Sequence, residues 1–492
     1  MPPISAESLL IGWLLLPFMA AFLAALLPPL ARWLALSCCL ATAAVAAAIQ
    51  AGALPASLHL LGPYGVALQP DALAAPFLLL NALVSGAVVL DGWRRPMPGP
   101  FLLLLMVLHG GLASAFVAVD LISLYVTLEV VGISAFLLIL ITRSERSLWL
   151  ALRYLLISNT VMTFYLVGAA VVYLEQGSFQ LAVVGAAGAA ALALLLVGLL
   201  TKAGLFLSGL WLPRTHAEAP AEVSALLSGV VVVAGIVPLL RLAGAVHALA
   251  EVLPVIGVAS AGLGLMFALV EMDAKWLLAW STLSQMGLVV LAPAAGGLYA
   301  LGHGLAKAAL FLLARRFPGR DLAGWTGRPL AAGVLVPLWI ASLSIVGVPP
   351  LLGFFAKSGL DRALPGPSGL LPSLLSVGTA AVFARLWSAP LQPAALPPSA
   401  SVQADPAWSP GVVLLLAALV LLGAGEASRS WGPALGAEAA KAGLVLAAGM
   451  GLHRLLQPLR RSPWFRLPDL EGFPDLIGGI GVVGAGLLVW VR

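Results

Sequence analysis

Apolar runs of about 20 residues recur along most of this 492-residue chain, each long enough for a helix to cross a bilayer core of about 30 Å. Inside lipid no water reaches the backbone amides and carbonyls, so a spanning segment has to be a helix or a strand of a closed barrel. The runs are continuous rather than alternating, which selects helices. Composition agrees: 61% of residues are hydrophobic and 9% are charged, against roughly 25% charged in soluble domains. The sequence therefore specifies an all-α polytopic membrane protein. The first run, "LLIGWLLLPFMAAFLAALL", follows a start without Lys or Arg and exceeds a signal-peptide core, so it reads as a retained transmembrane helix.

Sixteen apolar spans can be marked, some short enough to be half-helices, which gives about 14 to 16 crossings. Most of the arginines sit in the connections: Arg32, Arg94 and Arg95, Arg143 to Arg153, Arg214, Arg315 to Arg328, and Arg454 to Arg466. By helix count these loops fall on one face, which the positive-inside rule makes cytoplasmic and which sets the N-terminus outside. The net charge of +5 thus reflects helix-end arginines and not nucleic-acid binding. Residues 388–410, rich in Pro, Ala and Ser, read as a linker before the last helices. The segment "RRSPWFRLPDLEGFPD" (460–475) fits an interfacial stretch or a solvated loop. Cys38 and Cys39 are adjacent in a lipid-facing run and imply neither a disulfide framework nor a metal site.

The charges inside the apolar runs are more informative. Glu129 sits in the middle of "LYVTLEVVGISAFLLI". Only five basic residues are lysines, and Lys202, Lys275, Lys307 and Lys357 lie in or beside apolar segments, while Lys441 is the fifth. A lysine at a helix centre costs about 2.5 to 3.5 kcal/mol on insertion scales. Desolvation moves a lysine towards neutrality, whereas arginine stays protonated. Lysine inside and arginine outside is therefore the pattern of a chain that moves protons. A buried lysine also fits simple pairing with a glutamate, or snorkelling to the interface.

Two of these lysines stand at helix breakers. Lys202 opens "TKAGLFLSGLWLPRTHAEAP", and Lys357 follows the paired prolines of "SIVGVPPLLGFFAKSGL". A charged residue at a discontinuous helix is a device of secondary transporters, and its recurrence about 155 residues later suggests a repeated unit. An ordinary proline kink is the plainer reading of either break. His303 and Lys307, four apart, share one helix face and make a plausible relay pair. A membrane histidine also serves as a helix-to-helix hydrogen-bond donor.

Six stretches, in one order, carry a resemblance: "VDLISLYVTLEVVGISAFLLI", "RYLLISNTVMTFYLVGAAVVYLEQGS", "WLPRTHAEAPAEVSALLSG", "MDAKWLLAWSTLSQMG", "HGLAKAALFL" and "SIVGVPPLLGFFAKSGL". Across roughly residues 100 to 390 the chain resembles the antiporter-like membrane subunits shared by respiratory complex I (NADH-quinone oxidoreductase), membrane-bound hydrogenases and Mrp-type cation/proton antiporters. The resemblance implies two inverted five-helix repeats with broken helices, at 100–245 and 246–390. N-terminal helices (1–99) precede them, and a linker with C-terminal helices (391–492) follows. It also implies that Glu129 pairs with Lys202. Breaking that pair would free a proton to pass through water, His303 and Lys307 to Lys357. Asp120, His216, Glu218, Asp273 and Lys275 are expected in supporting roles, with Lys275 structural and paired with Asp273. The chain departs from the pattern at Leu207 and Gly209, where many members have proline and histidine. Val233 stands where some members have another axial lysine, and Trp276 and Trp280 replace an Arg and a Tyr.

The expected function is that of a proton-translocating subunit of a multi-subunit inner-membrane complex, of the Mrp type, with Na+ or K+ as the exchanged cation. Three alternatives stand beside it: a proton-pumping subunit of a redox enzyme, a membrane subunit coupling ion flow to inorganic-carbon uptake, and a non-transporting scaffold. The chain has no cysteine cluster and no Gly-rich nucleotide loop. No cofactor and no catalysis by this chain alone are therefore expected, and redox chemistry would belong to partner subunits.

Overall fold

The computed structural model describes residues 6–53, 57–61, 64–325, 330–364, 369–388, 408–430, 432, 434–460, 467–470 and 472–490. Most of the expected linker (389–407), part of the 460–475 segment, and Arg328, Arg461 and Arg466 lie outside the described residues. Nineteen α-helices make up most of what is described. The first seven are α1 (Ala6–Leu26), α2 (Ala31–Gln50), α3 (Ala74–Asp91), α4 (Phe101–Val117), α5 (Leu121–Ile139), α6 (Glu145–Gln176) and α7 (Ala189–Lys202). Then come α8 (Leu212–Glu218), α9 (Ala221–Leu226), α10 (Val233–Ala245), α11 (His247–Val270), α12 (Ala274–Leu291) and α13 (Pro293–Leu313). The chain ends with α14 (Ala332–Val346), α15 (Leu352–Ala363), α16 (Leu370–Ser388), α17 (Pro410–Arg429), α18 (Ala434–Arg460) and α19 (Phe473–Trp490). One short antiparallel ladder pairs Leu58–His59 with Ala67–Leu68.

Among the described residues twelve helices are long and apolar enough to cross a membrane, or thirteen if Ala189–Lys202 and Phe206–Glu218 form one broken span. Two further apolar helices, Phe101–Val117 and Ala332–Val346, are shorter. The expected 14 to 16 crossings counted those two and the span at α12.

Polar residues set the helix limits. The Asp120 carboxylate caps α5 by accepting from Ser123 N at 2.7 Å. Ser144 and Ser147 form a reciprocal capping box at the start of α6, and Gly177 ends that helix with φ +68°. Such caps satisfy amides the helix cannot, for about 1 kcal/mol each. Both predicted breaks occur. α7 stops at Lys202, with a 3-10 turn at Phe206–Gly209 before α8. α14 stops at Gly347, whose φ of +92° is the left-handed region that favours glycine, and α15 begins five residues later at Leu352. The succession helix, helix, helix, broken helix, helix thus runs twice: from α4 to α10, and again from α11 to α16.

The chain divides into two compact units. The first comprises Met1–Trp211, Val230–Ile256 and Glu471–Arg492. In it Arg241 clamps Asp71 with two hydrogen bonds, at 2.6 and 3.0 Å, and also donates to Phe116 O at 3.0 Å, the bidentate geometry that makes such pairs strong. α19 packs on the break after α7, so closely that a Cβ on Gly479 would lie 2.7 Å from Leu207 O. Cys38 and Cys39 are buried in this unit rather than lipid-facing, because α2 turns that side towards α1, α3 and α4.

The second unit comprises Leu212–Gly229 and Gly257–Leu470. Its centre is α13, whose residues from Tyr299 to Leu313 are all buried. Around it Ser260 Oγ donates to Leu283 O at 3.0 Å, and the hydroxyls of Ser228 and Thr282 meet at 2.8 Å. Arg385, 5% exposed, donates to Ala268 O and Leu269 O where α11 ends. With Arg153 also buried, arginine is not confined to the surface as the sequence suggested. Carbonyl groups left over at a helix end accept from a guanidinium without requiring any proton to leave it.

Candidate functional site

In the first unit α5 and α7 bring the predicted pair together. Lys202, 9% exposed, extends from the last turn of α7, where the helix dipole favours a cation. Its Nζ lies 3.9 Å from Glu129 Oε1. Its hydrogen bonds go elsewhere: to Ser158 Oγ on α6 at 2.6 Å and to Leu128 O at 3.2 Å. Glu129 Oε1 is buried and has no hydrogen-bond partner among the described residues. The pair is therefore open, attracted by charge but not bonded. Gly132, three residues after Glu129 on α5, makes room for it: a Cβ there would lie 2.9 Å from Lys202 Nζ and 3.2 Å from Ser158 Oγ.

In the second unit Lys307 is fully buried. Its Nζ donates to Leu278 O at 2.6 Å and to the Ser281 hydroxyl, both on α12. It also lies 5.5 Å above the Phe383 ring. All three partners are uncharged, which is unusual for a buried ammonium. One turn earlier on α13, His303 is 4% exposed, and neither ring nitrogen has a hydrogen-bond partner among the described residues. His303, Gln285, Tyr299, Ser344 and Lys357 line a cavity of about 10 Å³, the room of about one water molecule. Lys357 donates to Ser376 Oγ on α16 at 2.9 Å.

Each of the three lysines thus meets a serine hydroxyl on a neighbouring helix: Ser158, Ser281 and Ser376. A hydroxyl accepts from an ammonium and, by rotating, donates to a neutral amine. It can donate to the lone pair of the neutral amine, which an ionised carboxylate or a carbonyl cannot. Sequence reading did not single out these serines. A serine in an apolar run is too common to mark, and only packing reveals which ones face a lysine.

The supporting residues divide. Asp120 caps α5 and also accepts from Ala67 N at 2.8 Å, so its place is architectural. Lys275 does not pair through its side chain with Asp273 as expected. Its Nζ donates to Ala219 O, just past α8, at 2.6 Å. Asp273 is committed to capping α12 through the amides of Lys275 and Trp276, and to Arg320 at 2.6 Å. His216 on α8 is fully buried, with its ring 6.5 Å from that of Phe311. Glu218 closes α8. The departures also have structural partners. A Cβ on Gly209 would meet Gly204 C and O at 2.4 Å, so the histidine of other members does not fit this turn. Arg214 lies 5.7 Å over Trp276, Trp280 stacks on Phe267 at 4.2 Å, and Val233 is buried.

Helices that cross a membrane, interrupted beside Lys202 and a few residues before Lys357, define a polytopic membrane protein of the antiporter-like kind. A family profile described as NADH:quinone oxidoreductase/Mrp antiporter, transmembrane, matches residues 118–364, a stretch that holds most of these groups. The chain belongs to that family. Over 335 residues it is 31% identical to NADH-quinone oxidoreductase subunit N of Desulforudis audaxviator, covering 60% of this chain and 66% of that one. Over 345 residues it is 28% identical to a Na(+)/H(+) antiporter subunit of Alkalihalophilus pseudofirmus, covering 61% and 67%. The chain therefore spans about two thirds of the length of either relative. In fold it is similar to a chain of the Mrp complex from Dietzia sp. DQ12-45-1b, with a TM-score of 0.74 and 20% identity over 94% of this chain and 99% of that one.

Proposed function

We propose that this chain is a proton-translocating subunit of a multi-subunit complex in the inner membrane, of the Mrp cation/proton antiporter type, with its N-terminus outside. Its partners are other membrane subunits, and the exchanged cation is Na+ or K+. The main body is two inverted five-helix repeats, at 100–245 and 246–390. Protons are exchanged at Lys202 in the first unit, and at His303, Lys307 and Lys357 in the second. The observation that carries this reading is the open pair of Lys202 and Glu129. A lysine that sits near its acid but bonds to a hydroxyl can change partner, and the hydroxyl can donate to its neutral form. In vesicles holding the assembled complex, Glu129→Gln or Lys202→Ala is expected to abolish proton movement while assembly stays intact. Transport that survives both substitutions would contradict the reading.

A second reading, a proton-pumping subunit of a redox enzyme, is favoured by the 31% identity to an NADH-quinone oxidoreductase subunit. Purification of the complex in mild detergent separates the two. Small hydrophobic companions alone support the antiporter, and flavin or iron–sulfur absorbance supports the redox pump.

A further inference from the structure

A second open acid lies beyond Lys357. Asp361 is four residues further along α15, so it shares a helix face with Lys357. Its Oδ2 pairs with Lys441 Nζ on α18 at 2.7 Å. Its Oδ1 is buried and has no hydrogen-bond partner among the described residues. A buried, unsatisfied carboxylate oxygen is destabilising and calls for an explanation. Lys357, Ser376, Asp361, Glu438 and Lys441 all line one open cavity of about 230 Å³, room for several waters. Lys357 therefore opens directly onto a wide cavity, and the Asp361–Lys441 pair stands in that cavity.

We propose that Asp361 is a switchable counter-ion for Lys357, which Lys441 holds away. While Lys441 neutralises the carboxylate, the Lys357 ammonium is held only by the Ser376 hydroxyl and can release its proton to water in the cavity, leaving a neutral amine. When Lys441 withdraws, Asp361 Oδ1 becomes the acceptor for the Lys357 ammonium and keeps the proton on it, because an opposite charge favours the charged form of its neighbour. α18 thereby controls proton release at Lys357. This rests on the proposed function, in which Lys357 carries a proton.

The test uses the assembled complex in vesicles. Lys441→Gln frees Asp361 to trap Lys357 and is expected to slow proton flux by about tenfold. Lys441→Arg keeps the cation and is expected to restore most of the flux. Asp361→Asn combined with Lys441→Gln removes the trap and is expected to run faster than Lys441→Gln alone. Wild-type flux in Lys441→Gln, or a slow Lys441→Gln that the second substitution does not relieve, would overturn the switch. Lys357→Ala run alongside distinguishes the failures. Normal flux there takes Lys357 out of the path and the switch with it. Lost flux there, with Lys441→Gln unchanged, overturns the switch alone.

Discussion

The ammonium of Lys202 stops 3.9 Å short of Glu129 Oε1 and bonds to the Ser158 hydroxyl instead. Had the two charges closed into a hydrogen-bonded pair, removing either would leave an uncompensated buried charge, and the pair would be a lock. Left open, it is a pair of positions between which one cation can move. The second unit shares two of these features, an unsatisfied carboxylate oxygen on Asp361 and a lysine, Lys357, held by a serine, but there the carboxylate is closed on Lys441 at 2.7 Å.

The room for the Lys202 ammonium comes from Gly132. Gly132→Ala places a methyl group 2.9 Å from Nζ, so the ammonium has to leave the Ser158 hydroxyl. Displacement of a reacting group by about 1 Å can reduce rates by orders of magnitude. Proton flux in vesicles is expected to fall by about tenfold or more, while the complex still copurifies with its partners.

Lys307 offers a separation of stability from function. Its partners are neutral, and replacing a buried charge with an apolar side chain of similar size is often neutral or stabilising. Lys307→Met is expected to melt at or above the wild-type temperature in detergent while proton flux is lost. Lys307→Ala leaves a cavity instead, at about 2 to 5 kcal/mol for a large-to-small change, and is expected to melt lower.

Glu271 lies in the turn between α11 and α12. Burial pushes its carboxyl above the ordinary range, against hydrogen bonds from the Asp273 and Met272 amides. Because the folded state binds this proton more tightly than the unfolded chain, the contribution to stability is full at acidic pH. It is lost as pH rises through the folded value. Glu271→Gln carries no such proton, so its melting temperature is expected to fall less than that of the wild type between acidic and neutral pH. Thermal unfolding across that range measures the difference.

What could be read before the fold was known follows a physical rule. A charge in an apolar run is conspicuous because it is costly, so Glu129, Lys202, Lys307 and Lys357 stood out. Both helix breaks stood out because glycine and proline punctuate helices. What stayed hidden depends on packing. The carboxylate of Asp273 is taken up by backbone amides and Arg320, which left the Lys275 ammonium to Ala219 O. The serine partners and the Lys441–Asp361 contact, 80 residues apart in sequence, come from helices that meet only in the folded chain. One signal for Asp361 was available: its four-residue spacing from Lys357. The burial of Arg385 was not legible, because its carbonyl partners carry no sequence mark.

The central claim is that Lys202 gives up and regains a proton, and is not merely a fixed charge. Lys202→Arg tests this most directly, since a guanidinium keeps the positive charge but does not deprotonate in proteins. Proton flux through the assembled complex in vesicles is the measurement. Flux lost in Lys202→Arg as in Lys202→Ala, with the complex intact in both, is the result predicted. Flux near the wild-type rate in Lys202→Arg would mean that a permanent cation suffices there, and would contradict the account.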